Sequence, residues 1–225
     1  MAETDVHRDE MADLILALRR HFRAAPDVYV SGNLLLYYRE GDPKKRRAPD
    51  VFVVKGVEKR RRRTYLLWEE GVPPTMVIEV TSAGTRRQDE VEKRALYARL
   101  GVASYFLYDP LGEYLDPALQ GFRLTDPGVY EPVDPPFACD ALDLGLRLDD
   151  DGRLQLADAR SGAPIERLDT ALDREIAARE LAEELRLQAE QARARAEQAL
   201  DRSERARRDL EQELARLRAR TGPAD

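Results

Sequence analysis

Cysteine is almost absent: Cys139 is the only one in 225 residues, which excludes a disulfide framework and any Cys-based zinc module and suits a reducing compartment. Long apolar runs are missing as well. The longest, such as Leu14–Leu18 and Met76–Val80, fall far short of the ~20 residues a membrane helix needs, so no membrane partner is expected. The first ten residues are charged and lack an apolar segment, so no secretory signal is read and a cytoplasmic protein is expected. There is no Walker-type phosphate loop and no G-x-G-x-x-G, which leaves nucleotide-driven chemistry unsupported. With 37 Lys or Arg against 43 Asp or Glu, the net charge is only −6.

A further absence divides the chain. Residues 165–220 contain no aromatic, glycine or proline, whereas every Phe, every Tyr and Trp68 precede Cys139. That segment carries 13 Arg, 14 Asp or Glu and 12 Ala, helix formers with interspersed charge. One long helix is expected there. Its apolar seam starts at Leu168, Leu172 and Ile176, slips phase before Ala182, and then follows the alternating three- and four-residue spacing of a coiled coil to Leu217. The sequence therefore predicts a domain over 1–164, a long helix and coiled coil over 165–220 that pairs two copies in a homodimer, and a disordered tail over 221–225. Removing 165–225 is expected to leave a folded domain.

Within 1–164, apolar residues at Met11, Leu14, Ile15, Leu18 and Phe22 have amphipathic helical spacing. Short β-type runs follow at 28–30, 34–38, 51–54, 65–68, 76–81 and 105–108. Gln88 to Leu100 reads as a helix stopped by Gly101. Beyond Asp109-Pro110, runs at 121–124, 142–148 and 154–156 read as a peripheral hairpin and edge strands. The fold class expected is mixed α/β, a central mixed sheet flanked by helices.

Glu79 is the most informative residue, because it interrupts Met76-Val77-Ile78-Glu79-Val80, a run that otherwise reads as a buried central strand. A carboxylate there must be paired, protonated or bound to a cation. Asp50 follows Pro49, which cannot donate to a ladder and so belongs at the start of the strand over 51–54. Two carboxylates at a sheet edge can converge on Mg²⁺, a hard cation that takes oxygen ligands. Asp89, Lys93 and Tyr97 recur every four residues and share a helix face. Taken singly, each has a plain structural role: a turn for Asp50, a surface ion pair for Lys93.

The order Pro49-Asp50, Val77-Ile78-Glu79-Val80-Thr81-Ser82, Asp89, Lys93, Tyr97, Gly101-Val102, Tyr105-Phe106 and Asp109-Pro110 resembles the Uma-type family of restriction-endonuclease-like proteins, assigned to the PD-(D/E)XK nuclease superfamily. The resemblance spans residues 10–157. It implies a restriction-endonuclease-like fold and metal-assisted hydrolysis of a nucleic-acid phosphodiester, DNA being the favoured substrate. Asp50 and Glu79 would hold Mg²⁺, or Mn²⁺, with the Val80 carbonyl, and Lys93 would position the attacking water. The superfamily's usual lysine position holds Thr81 here, so Lys93 corresponds to a lysine supplied from the following helix. Glu10 or Asp13 would complete the site from the first helix, and Tyr97 would pack. A lysine serving chemistry contributes little to a core, so Lys93→Ala is expected to leave stability nearly unchanged.

From Arg39 to Arg63 there are 11 Lys or Arg and 4 Asp or Glu, a local net of +7 on either side of the Asp50 strand, which would attract phosphates. His7 and His21 have no partners at metal-ligand spacing and read as surface or packing residues. The rival to a nuclease is an adaptor that keeps the fold without useful catalysis and assembles through its C-terminal helix.

Overall fold

The computed structural model describes residues 4–82, 84, 86–167, 172, 179 and 186. The chain divides into two units, Met1–Ala171 and Leu172–Asp225. In the second, Leu172, Arg179 and Arg186 are helical. The expected helical seam, coiled coil and tail otherwise lie outside the described residues.

The first unit is a mixed α/β fold, as the alternation of runs predicts. Its strands are β1 (Val28–Ser31), β2 (Leu36–Tyr37), β3 (Arg46–Arg47), β4 (Val51–Lys55), β5 (Tyr65–Leu66), β6 (Met76–Val80), β7 (Ser104–Tyr108), β8 (Leu119–Asp126), β9 (Val129–Val133), β10 (Phe137–Cys139), β11 (Leu144–Leu148) and β12 (Leu154–Asp158). Six of them form the main sheet in the order β1-β4-β6-β7-β8-β9. Only β6 and β7 run parallel in it; the other neighbours are antiparallel.

Alternation along the strands splits the side chains between two cores. Val51, Val53, Ile78 and Val80 face one that also holds Met11, Leu14 and Leu18 of helix α1 (Asp5–His21) and the leucines of β11 and β12. Phe52, Val54 and Val77 face the other, with Tyr29, Tyr65, Tyr97 and Tyr105. By this alternation Asp50 and Glu79 belong to the tyrosine-rich face.

Several elements depart from the sequence expectation for local reasons. Helix α1 starts well before Met11 because Thr4 caps it, its hydroxyl accepting the His7 N–H at 3.2 Å. The buried residues of that first part include His7 and Glu10, which an apolar pattern does not register. The run over 65–68 is a strand only at Tyr65–Leu66, and Trp68 lies in the short helix α2 (Leu67–Glu70). Gln88–Leu100 is a π-helical segment, Gln88–Lys93, followed by α3 (Arg94–Leu100), and Gly101 ends it at φ +84° as its position predicts. The run over 121–124 is part of β8, a full member of the main sheet. Strands β10, β11 and β12 make a separate sheet, with Leu144, Leu146, Leu154 and Leu156 in the α1-side core.

Candidate functional site

The residues singled out from sequence meet at the end of β4 and β6. Asp50 precedes β4, and its Oδ2 accepts the Val80 N–H at 2.9 Å; in return the Asp50 N–H points at Glu79 Oε2, 3.4 Å away. Glu79 is fully buried. Lys93 Nζ donates to Glu79 Oε2 at 2.8 Å and lies 2.8 Å from Asp89 Oδ1. The Tyr97 hydroxyl donates to Glu79 Oε1 at 2.8 Å.

Helical spacing explains how the second half of the cluster is delivered. Asp89, Lys93 and Tyr97 lie on one face across the junction of the π-helical segment and α3. The Tyr105 hydroxyl donates to the Asp89 carbonyl at 2.9 Å, anchoring the wider turn to β7. Insertions of this kind recur at functional sites. Tyr97 packs, as expected, and its hydroxyl also fixes one oxygen of Glu79.

The electrostatics follow from burial and an excess of carboxylates. Burial raises Asp50, yet the bond from His7, the charge of Lys93 and the bond with Glu79 outweigh it and hold the carboxyl below its ordinary value. Glu79 goes the other way: burial first, then the Asp50 charge, push it well above the ordinary carboxylate range, and Lys93 only partly offsets them. Lys93 itself is lowered by burial and raised further by Glu79, Asp89 and Asp50, for a net rise. Burial and Glu79 raise the Tyr97 phenol.

Two expectations about the first helix are corrected. His7, read as a surface or packing residue, is buried, and its Nε2 lies 3.3 Å from Asp50 Oδ2. Sequence spacing could not find it, since the partner is far along the chain and a lone histidine carries no motif. Glu10 and Asp13, expected to complete the site, are instead held by Arg167: its Nη1 is 2.9 Å from Glu10 Oε2 and its Nη2 is 2.9 Å from Asp13 Oδ2. Asp109, another residue of the motif order, organises the loop after β7 by accepting the backbone N–H groups of Leu111, Tyr114 and Leu115.

The donor set is oxygen-rich. Lys93 lies between the Glu79 and Asp89 carboxylates, and Asp50 meets the His7 imidazole. Among the described residues, no group of three or more His, Cys, Asp or Glu is arranged to hold a metal ion. Asp50 and Glu79 supply two neighbouring carboxylates, the oxygen donors that a hard cation takes.

A glycine sets the approach of β1 to this site. A Cβ built on Gly32 would lie 2.0 Å from the Asp50 carbonyl oxygen and 2.4 Å from Ile15 Cδ1, so even alanine must push the Asp50 backbone aside. Gly32→Ala should cost about 1–3 kcal/mol in urea unfolding, the scale of an overpacked core. A loss below about 0.5 kcal/mol would mean that the backbone at Asp50 yields freely.

A family model described as Uma2, "Putative restriction endonuclease", matches residues 1–155. No curated protein matches the chain. Among solved structures, a putative nuclease from Anabaena variabilis is 15% identical, with 61% of this chain and 72% of that one covered at a TM-score of 0.45.

Proposed function

Because this chain belongs to the Uma2 family, we propose that it is a Mg²⁺-dependent endonuclease of restriction-endonuclease-like fold that hydrolyses nucleic-acid phosphodiesters, DNA in particular. The observation that carries the reading is the convergence of Asp50, Glu79 and Lys93, from three separate segments, in one cluster whose Glu79 and Lys93 are buried and whose Asp50 is half-buried. Asp50 and Glu79, with the Val80 carbonyl, hold the ion, and Mn²⁺ can replace Mg²⁺. When bound, the ion supplies Lewis acidity toward the phosphate and makes an attacking water more acidic.

The protein's own groups orient and balance that site. Tyr97 and Lys93 each fix one oxygen of Glu79, so the carboxylate enters the reaction in a single orientation. His7 and the Val80 N–H both bear on Asp50 Oδ2, which fixes that carboxylate beside Glu79. Lys93 carries the positive charge nearest the carboxylates and stabilises charge developing on the phosphate. We further propose that the domain works in the reducing cytoplasm and that residues 165–220 form a long helix pairing two copies of the chain.

The test compares nicking of supercoiled plasmid DNA in Mg²⁺ by the wild type and by Asp50→Asn. The rate should fall roughly 10²–10³-fold, the equivalent of several kcal/mol of lost charge stabilisation. Mg²⁺ should also raise the melting temperature of the wild type and not that of the variant, since only a bound ion shifts the folding equilibrium. Equal nicking by both proteins would assign the cutting to another site or a contaminant. A wild type inert on DNA and RNA in both Mg²⁺ and Mn²⁺ would favour an adaptor that keeps the fold.

A further inference from the structure

Along the free edge of β1 lies a cleft of about 630 Å³ lined by Arg19, Tyr29, Ser31 and the loop Lys59-Arg60-Arg61-Arg62. The cations there are of two kinds. Arg62 is structural: it makes a two-pronged ion pair with Glu70 and sits 4.3 Å over the Tyr29 ring. Lys59 is spent on the carbonyls of Phe22, Arg23 and Ala25 at the end of the first helical segment, and Arg60 shares Glu70. Arg19 and Arg61 are exposed, and among the described residues neither has an acidic partner. Arg19 donates to the Val30 carbonyl at 3.1 Å, which fixes its guanidinium against the strand edge.

The cleft also points somewhere. Ser31 pairs with Phe52 in the sheet register, two residues from Asp50, and the next residue along, Gly32, is the one whose Cβ would strike the Asp50 carbonyl. Asn33 donates its N–H to the Pro49 carbonyl at 2.8 Å. Tyr29 and its register partner Val54 belong to the tyrosine-rich core, the face assigned above to Asp50 and Glu79. With strands ~4.8 Å apart, β1 runs only about 10 Å from β6 and its Glu79. The Ser31 end of the cleft thus lies one strand away from the start of β4 and Asp50.

We propose that this cleft is a phosphate-backbone track: it binds the sugar-phosphate chain of the nucleic acid on one flank of the scissile bond, with Arg19 and Arg61 as the contacting charges. The inference rests on the nuclease reading for its direction and on charge, exposure and register for its existence. Cations that neutralise phosphates release condensed counterions, so each contact contributes to the salt dependence of binding whatever the base sequence.

Binding of a short fluorescein-labelled DNA strand, by anisotropy in EDTA so that no cutting occurs, tests it. Arg19→Ala/Arg61→Ala should weaken binding several-fold and lower the log–log salt slope by roughly 1.4, about 0.7 per contact on a single strand. Arg61→Glu alone should weaken binding as well, and because Arg61 has no acidic partner among the described residues its melting temperature should stay at the wild-type value. Wild-type affinity and slope in both variants would overturn the track while leaving the nicking test of Asp50→Asn untouched. A wild type that binds the strand through Arg19 and Arg61 and cuts nothing would keep the track and sink the nuclease. No binding by the wild type would overturn the track whatever the nicking result.

Discussion

Lys93→Ala should lower the free energy of unfolding by about 3–5 kcal/mol, the loss seen when one partner of a buried ion pair is removed. A functional lysine on a charged helix would ordinarily be dispensable for stability, which is what the sequence suggests. The structure reverses that expectation. Lys93 is buried, and it is the cation held between Glu79 and Asp89, both without measurable exposure. Its removal leaves the Glu79 and Asp89 carboxylates out of water, and among the described residues no other lysine or arginine bonds to Glu79. Urea unfolding measures the effect directly. Adding Glu79→Gln to Lys93→Ala should recover part of the loss, since one fewer negative charge stays buried. A loss below about 1 kcal/mol in the single variant would mean that water enters the cluster and screens it. Loss of nicking by Lys93→Ala is consequently open to a trivial explanation, and Asp50→Asn is the cleaner probe of chemistry.

Ending the chain at Pro164 should be far more damaging than ending it at Ala171. Composition places a boundary at 164, because the helix-forming segment free of aromatics begins at Ile165. Burial shows that two of the next three residues carry domain contacts. Ile165 is 8% exposed, belongs to the α1-side core and donates its N–H to the Leu156 carbonyl at 2.8 Å. Arg167 clasps Glu10 and Asp13 on α1, and its guanidinium is the buried counter-charge of Glu10. Loss of the arginine leaves Glu10 only the more exposed Arg153, 3.6 Å away, and costs about 1.5–3 kcal/mol, and loss of the isoleucine about 1.5–3 kcal/mol. Together these reach the lower end of an ordinary domain's whole stability. The chain ending at Pro164 should melt many degrees lower or precipitate, and the chain ending at Ala171 should melt near the full-length protein. If residues 165–220 pair two copies, the Ala171 form should also sediment at lower apparent mass. Equal melting of the two shortened chains would show that the clasp contributes nothing.

Helix α1 joins these two results. His7 and Glu10 are one turn apart on its buried face, the first against Asp50 and the second against Arg167. A single helix therefore braces the carboxylate cluster and fastens the end of the first unit.

Features carried by periodicity and by short-range chemistry were legible. Alternating apolar runs located β4, β6 and β7, because one face of each strand must leave water. Gly101 announced the end of α3, because a positive φ favours a residue without a side chain. Glu79 declared itself by being costly where it stands, and the four-residue spacing of Asp89, Lys93 and Tyr97 places them on one helix face by geometry alone. The order of those residues also identified the family.

What the sequence alone determined was therefore local: which segments are strands and helices, and which polar residues a buried segment could not carry without partners. The tertiary structure decided the partners. That His7 serves Asp50, that Glu10 and Asp13 answer to Arg167 more than 150 positions away, and that Arg62 and Lys59 are consumed by the fold while Arg19 and Arg61 stay exposed are pairings between distant segments. Charge pairing between distant segments has no period along a chain. A carboxylate takes whichever cation the packing of apolar faces brings within reach, and only the folded arrangement fixes which one that is.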